Sequence, residues 1–266
     1  MSPNGSVDPK DVQALRRLTG AGVLDCKLAL ERTGGDLDAA AQLLREQGKV
    51  GAVRRAGREA SDGAVSLVVD GAGAIVELRC ETDFVAKSAD FVNTAQELAA
   101  AVAASGESAL DDHKEEVESL AAAVRENVSI GRVVRFEPAP HDVLDGYLHI
   151  QNDRGKNAVL VEVAGGDQAL AHDLALHVAF NRPEYLSRDE VPKEEIEAER
   201  ATLEAQARNE GRPDQVIPRI VEGRLNAWFK DRCLLEQPFV RDEKQTIEKW
   251  LGTARVVRFA QVEIGA

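Results

Sequence analysis

The chain is poor in the residues that usually announce chemistry. Cysteine occurs three times in 266 residues, as Cys26, Cys80 and Cys233. These lie far apart and fit neither a CxxC pair nor a Cys/His zinc spacing. An odd, scattered set of thiols suits a reducing, cytoplasmic setting and argues against a disulfide framework. Aromatic residues make up only 4%, so the cores must rest on Ala, Val, Leu and Ile. No apolar run approaches the ~18 residues that a membrane helix requires, and no membrane partner is expected. The opening MSPNGSVDPK lacks the apolar centre of a secretory signal. No GxxxxGK[ST] phosphate loop occurs, so direct nucleotide binding and a cofactor are not expected.

Charge, by contrast, is plentiful and mostly of one sign. Lys and Arg number 33 against 46 Asp and Glu, a net of −13. An acidic surface repels phosphate backbones, so nucleic-acid binding would need a local basic patch. The stretch 49–60 is the candidate, with Lys49, Arg54, Arg55 and Arg58 around Gly51 and Gly57. It has no interleaved aromatic on which a base could stack, and it reads as a basic, partly helical linker. No nucleic-acid partner is expected. The balance favours a protein.

Periodicity then divides the chain. Residues 1–48 read as a short tail and three small helices. Asp8 before Pro9 makes an N-cap with proline at the first helical position. Val12, Leu15 and Leu18 follow at helical spacing. Thr19-Gly20-Ala21-Gly22 breaks the helix, Leu24 and Leu28 share a face of the next, and Leu37, Ala40, Ala41 and Leu44 form a third stripe ending at Gly48. From residue 61 the period becomes two. Val65, Leu67 and Val69 lead to an Asp70-Gly71 turn, after which Ala74, Val76, Leu78 and Cys80 alternate with Glu77, Arg79 and Glu81. That pattern predicts a β-hairpin with one buried face. Glu77 and Glu81 could in principle form a carboxylate pair, but no nucleophile or metal cluster accompanies them, and exposure on a strand explains both.

A helix capped by Ser88 carries Phe91, Ala95, Leu98, Ala99 and Val102, another follows near 111–127, and Val133 to Phe136 reads as a strand. The arrangement then returns. Tyr147 to Ile150, a polar turn over 151–155, and Val159, Val161 and Val163 precede a helix marked by Leu170, Leu174 and Val178. The expected fold class is therefore α+β, with two related antiparallel hairpin-plus-helix halves at 61–140 and 141–191. Residues 192–233 read as a protruding antiparallel helical hairpin, opened by Pro192 and turned at Gly211-Arg212-Pro213. Residues 234–266 supply an amphipathic helix near 243–251 and an alternating strand, Val256 to Ile264, placed to rejoin the core.

Two segments carry a family resemblance. Leu15-Arg16-Arg17-Leu18-Thr19-Gly20-Ala21-Gly22-Val23-Leu24-Asp25-Cys26-Lys27 resembles the amino-terminal signature of the elongation factor Ts family. Cys80-Glu81-Thr82-Asp83-Phe84-Val85-Ala86-Lys87 resembles its second signature, with a TDFVAK core. Leu176-His177-Val178-Ala179 and Glu222-Gly223-Arg224 lie where the family has similar stretches, and the likeness covers nearly the whole chain. It implies a ubiquitin-associated-like fold for the first unit and a coiled-coil protrusion for 192–233. It also implies a guanine nucleotide exchange factor of translation elongation, not an enzyme. The partner would be elongation factor Tu, held by its GTPase domain and a second domain, from which GDP is released so that GTP can bind.

The same resemblance implies the contacts. Thr82, Asp83, Phe84 and Val85 would bind Tu and dislodge its magnesium, with Phe84 pushed between helices of the GTPase domain near the Mg²⁺ and Asp83 interacting nearby. Arg16, Val23 and Leu24 would touch the GTPase domain, although the family commonly has Met at the last two positions. His177 would influence Tu binding. An Ile-Gly pair that touches Tu in some relatives is replaced here by Asn157-Ala158, so that contact is not carried over. Each site also has a plainer reading from the residues alone: Phe84 as an anchor of its own loop, Val23 and Leu24 as bundle core, and His177 as a satisfied core residue. The alternative function is a ubiquitin-associated-type module that recruits some other protein.

Overall fold

The computed structural model describes residues 7–19, 21 and 23–265, with the side chains of 47–56 left aside. Three helices come first: α1 (Pro9–Thr19), α2 (Val23–Arg32) and α3 (Leu37–Ala56). Asp8 Oδ1 accepts the Lys10 amide at 2.8 Å, and Asp36 Oδ1 accepts those of Asp38 and Ala39, both at 3.0 Å. These caps satisfy amides that the first helical turn leaves orphaned. Leu15, Cys26, Ala29, Leu30, Ala40 and Ala41 form the bundle core.

Two expectations change here. The Leu24–Leu28 stripe faces outward, 67% and 43% exposed, because α2 packs through Cys26, Ala29 and Leu30 instead. Small residues let three short helices approach closely, and spacing alone does not choose between two adjacent faces of one helix. Nor does Gly48 end α3, whose backbone stays helical to Ala56 and takes in most of the stretch read as a linker. A lone glycine costs a helix interior only about 1 kcal/mol, too little to stop it.

The body follows. Its first half comprises β1 (Asp62–Asp70), β2 (Ala72–Cys80), the single-turn α4 (Asp83–Ala86), α5 (Ala89–Ser105), α6 (Lys114–Val124) and β3 (Ser129–Phe136). The strands form one antiparallel sheet in the order β1-β2-β3. The second half comprises β4 (Val143–Gln151), β5 (Arg154–Ala164) and α7 (Gln168–Asn181). The helical hairpin α8 (Lys193–Asn209) and α9 (Ile217–Arg232) comes next, then β6 (Pro238–Phe239), β7 (Asp242–Thr246), α10 (Ile247–Leu251) and β8 (Arg255–Glu263). Here the sheet order is β4-β5-β8. Each half thus repeats one plan: a hairpin, a helix, and a late strand added beside the second hairpin strand. The helix expected near 243–251 is in fact the strand β7 followed by a five-residue helix. Thr246 caps that helix, its hydroxyl accepting the Lys249 amide at 3.4 Å, and this fixes its start.

The hairpin expected to bury one face buries both. Ala74, Val76, Leu78 and Cys80 pack on α5, while Ile75 points the other way, into a cluster with Leu144, Leu160 and Val262 from the second sheet. Val159, Val161 and Val163 pack on α7. The layers therefore run helix, sheet, sheet, helix. At Gly155 any Cβ would collide with the Val65 carbonyl, so only glycine permits β1 and β5 to cross this closely. In the hairpin α8–α9, Leu203, Ala207, Val221, Leu225 and Phe229 share a separate small core.

Two glutamates are buried between the sheets, one on each middle strand. Glu77, 2% exposed, is not a solvent-facing strand residue. Its Oε2 accepts Arg79 Nη2 at 2.9 Å, the Arg132 amide at 2.8 Å and Arg132 Nε at 3.2 Å. Arg132 then donates to the Glu263 carbonyl at the end of β8. Glu162 Oε2 accepts Arg258 Nε at 2.6 Å, and Arg258 Nη2 donates to the Glu137 carbonyl just beyond β3 at 2.8 Å. Each half lends the other an arginine clamp. Glu81, the other member of the considered pair, is half-buried and holds Arg58 at 3.1 Å.

Burial alone would raise the Glu77 carboxyl, but the hydrogen bonds from Arg79 and Arg132 outweigh it and hold the group below its usual 4.5. A depressed carboxylate stabilises the fold fully above the unfolded value and loses that contribution as pH falls through the folded one. Glu77→Gln is therefore expected to lower stability at neutral pH by about 2 kcal/mol. It should also flatten the decline below pH 4.5. Urea unfolding against pH measures both, and an unchanged acid slope would remove Glu77 as a source of acid lability.

Candidate partner-docking site

The sharpest surface feature grows out of the end of β2. The Cys80 thiol donates to the Thr82 carbonyl at 3.2 Å, and burial pushes this thiol up to about 12, so it stays protonated as a structural donor. Thr82 is extended and caps α4, its hydroxyl accepting the Val85 amide at 3.4 Å. Val85 and Ala86 turn inward onto the core under α5. Thr82, Asp83 and Phe84 turn outward.

Phe84 is 74% exposed, an extreme position for a large apolar side chain. It does not anchor its own loop. Lys87 Nζ sits 4.3 Å from the centre of its ring and 3.3 Å from Asp83 Oδ2. The ammonium thus ties together the two side chains expected to meet a partner. Exposed single-turn pairs of this kind contribute little to stability.

A second apolar surface lies on the amino-terminal bundle. Val23 is 55% exposed, and with Leu24, Leu18 and Leu28 it leaves four apolar side chains facing solvent on α1 and α2, while Arg16 is exposed on α1. The reading of Val23 and Leu24 as bundle core is therefore replaced. Asp25, next to them, accepts Arg125 Nη2 at 3.3 Å, so this helix end touches the connection between α6 and β3. That connection also holds Thr82, through Glu126.

The comparisons with known proteins bear on the whole chain. The family model described as Elongation factor TS matches residues 81–266. The elongation factor Ts of Deinococcus deserti is 42% identical over 268 residues, covering 97% of this chain and 99% of that protein. The chain belongs to the elongation factor Ts family. A Mycobacterium tuberculosis member is 42% identical over 269 residues, 96% of this chain and 97% of that protein. One from Nocardioides sp. is 43% identical over 276 residues, with 98% and 99% covered. Members of the elongation factor Ts family act in translation elongation, and the chain is a protein-biosynthesis factor of that kind. Among the described residues no helix is long and apolar enough to cross a membrane.

His177, on α7, lies elsewhere than the other family positions. It is fully buried. Its Nε2 faces Gln237 Oε1 at 3.0 Å, and its Nδ1 faces Asn181 Nδ2 at 2.9 Å and the Val240 amide at 3.3 Å. The network fits the tautomer with the proton on Nε2. Burial depresses its basicity below the usual 6.5 despite the Gln237 bond, which keeps the ring neutral. The free chain gives His177 no exposed surface, and its place is that of the satisfied core residue of the plainer reading. The ring fixes the end of α7 against the segment that follows α9.

Residue patterns missed several neighbours. Phe180, one turn beyond His177, is 74% exposed, and Ile150 near the β4–β5 turn is also exposed. Both lie toward the hairpin end of the second sheet, where Asn157 Nδ2 donates to the Ala179 carbonyl at 3.1 Å. Phe180 falls off the Leu170–Leu174–Val178 stripe, and that was the available signal. Glu126 and Lys87 gave none, since charged residues near loops are ordinary.

Proposed function

We propose that this protein is a guanine nucleotide exchange factor for elongation factor Tu, working in the cytoplasm and catalysing no bond change itself. One observation carries the reading: Phe84 stands out into solvent on a capped turn at the end of a packed strand, inside the family's own signature. A side chain so placed gains burial only when a partner arrives. Docked on Tu, Phe84 would enter between helices of the GTPase domain and disturb the contacts of magnesium and phosphate, with Asp83 beside it and Thr82 and Val85 forming the turn. Arg16, Val23 and Leu24 would hold the same domain from the ubiquitin-associated-like bundle. Phe180, on the end of α7 that His177 helps to fix, and the exposed Ile150 would meet a second Tu domain.

The magnitudes are consistent with such a wedge. Each tenfold acceleration of GDP release needs about 1.4 kcal/mol of differential stabilisation. Burying a Phe side chain supplies roughly 1.5–3 kcal/mol. Coupling through Tu is reciprocal, so bound GDP must weaken the factor's hold by the same ratio by which the factor weakens GDP.

That reciprocity is the test. Titrating the protein into Tu at rising GDP should show apparent affinity falling and then levelling once the ternary complex dominates. Competition for one shared site would instead weaken binding without limit, and an affinity indifferent to GDP would sink the exchange reading.

A further inference from the structure

The turn that presents Phe84 cannot aim it unaided. Helix α4 is one turn of four residues, far below the length at which a helix holds itself together. On the inner side Val85 and Ala86 pack on the core. On the outer side the restraint comes from Glu126, 44 residues away in the connection between α6 and β3. Its Oε2 accepts the amides of Glu81 and Thr82, both at 3.0 Å, and its Oε1 accepts the Thr82 hydroxyl at 2.6 Å. One carboxylate thus holds the last two amides before α4 and also orients the hydroxyl that caps it.

The flanking residues extend the grip. Arg125 reaches Asp25 of α2 at 3.3 Å, and its carbonyl accepts Arg58 Nη2 at 3.3 Å. The Asn127 amide donates to Glu81 Oε1, and Asn127 Nδ2 donates to the Arg58 carbonyl at 2.7 Å. Arg125 adopts a left-handed backbone, φ 63°, which ends α6 and turns the three residues toward β2. Three consecutive side chains therefore contact α2, the segment leading into β1, the end of β2 and the cap of α4.

We propose that Arg125-Glu126-Asn127 is a positioning element that couples the amino-terminal bundle to the Phe84 turn, with Glu126 as the residue that aims Phe84. The inference rests on the exchange reading above. Glu126 touches no partner atom in this scheme; it acts through Thr82 and Phe84. Loss of its carboxylate frees the turn, so a docked factor engages Tu with Phe84 out of place for much of the time. The plateau rate of GDP release should then fall. The concentration at half-effect, set by the remaining contacts, should change little. Gln at this position retains an acceptor for both amides and a group that can meet the Thr82 hydroxyl.

Tu-dependent GDP release against factor concentration, with Phe84→Ala, Glu126→Ala, Glu126→Gln and the Phe84→Ala/Glu126→Ala double variant, tests the coupling. Glu126→Ala is expected to lower the plateau about tenfold. Glu126→Gln should stay within about threefold of the original chain, and Glu126→Ala should add nothing once Phe84 is gone, as expected for residues acting as one unit. In the free protein, amide exchange at Thr82 and Val85 should quicken in Glu126→Ala while the middle of β2 stays protected. Additive losses in the double variant, an unchanged plateau in Glu126→Ala, or a Gln variant as impaired as Ala would overturn the proposal. An original chain that fails to accelerate GDP release would instead strike the exchange reading itself, and Phe84→Ala with undiminished exchange would take Phe84 out of it.

Discussion

Phe84→Ala slows Tu-dependent GDP release by one to two orders of magnitude and leaves the unfolding temperature of the free protein nearly unchanged. Both halves of that expectation follow from exposure. A side chain 74% open to water makes few contacts whose loss could unfold the chain. Its neighbours Val85 and Ala86, which face the core, are untouched. Roughly 1.5–3 kcal/mol of burial is withheld until docking, and about 1.4 kcal/mol corresponds to each tenfold in rate. The expected ratio follows from these two figures. Stopped-flow release of labelled GDP gives the rate, and a thermal melt gives the control. A variant that exchanges at the original rate would return Phe84 to the role of an ordinary surface residue. One that unfolds would show that the ring supports the turn after all.

The strands were the most legible part of the sequence. Period-two runs on either side of Asp70-Gly71 and around 151–155 became β1–β2 and β4–β5. The second turn is tighter than the polar stretch suggested, because Asn152 and Asp153, with φ of 53° and 61°, both take the left-handed conformation, and the loop shrinks to two residues. Long-range pairing was not legible. Nothing in Glu77 or Glu162 signals that each meets an arginine from a strand far along the chain, so Glu77 read as exposed. Packing of a second sheet over the first reversed that reading.

For the candidate site, motif and exposure carried different information. The signature pointed to Thr82-Asp83-Phe84-Val85, and the structure divides them into three outward residues and one inward. Leu24 and Leu28 show the limit of periodicity: their i, i+4 spacing is what a core stripe would have, yet Cys26, Ala29 and Leu30 form the buried face. His177 shows the converse. Its place on the apolar stripe of α7 already fitted a core residue, and its hydrogen bonds to Gln237 and Asn181 satisfy it there.

Removing residues 1–56 weakens binding to nucleotide-free Tu by roughly thirtyfold to a thousandfold while the two-sheet body stays folded. The cut belongs after Ala56 and not at Gly48, since the backbone of α3 is continuous between them. A cut at Gly48 would leave a helix fragment without its bundle. The bundle core of Leu15, Cys26, Ala29, Leu30, Ala40 and Ala41 includes no residue of the clusters that hold the sheets together. The Asp25–Arg125 pair across to the body is exposed on both sides, and such pairs are worth at most about 1 kcal/mol. Helix α3 also lies beside α6, but the described clusters that hold the sheets contain no residue of the bundle, so little of the body's stability is expected to leave with it. What leaves is surface: Leu18, Val23, Leu24 and Leu28 are all exposed and apolar. Further burial of two or three of them against a partner would supply about 2–4 kcal/mol, which sets the expected range in Kd. Calorimetric titration of the truncated chain against nucleotide-free Tu gives the affinity, and its melting curve reports the body. Unaltered affinity would take the bundle out of the interface, and a body that melts early would mean that the Arg125 connection carries more of its stability than its exposure implies.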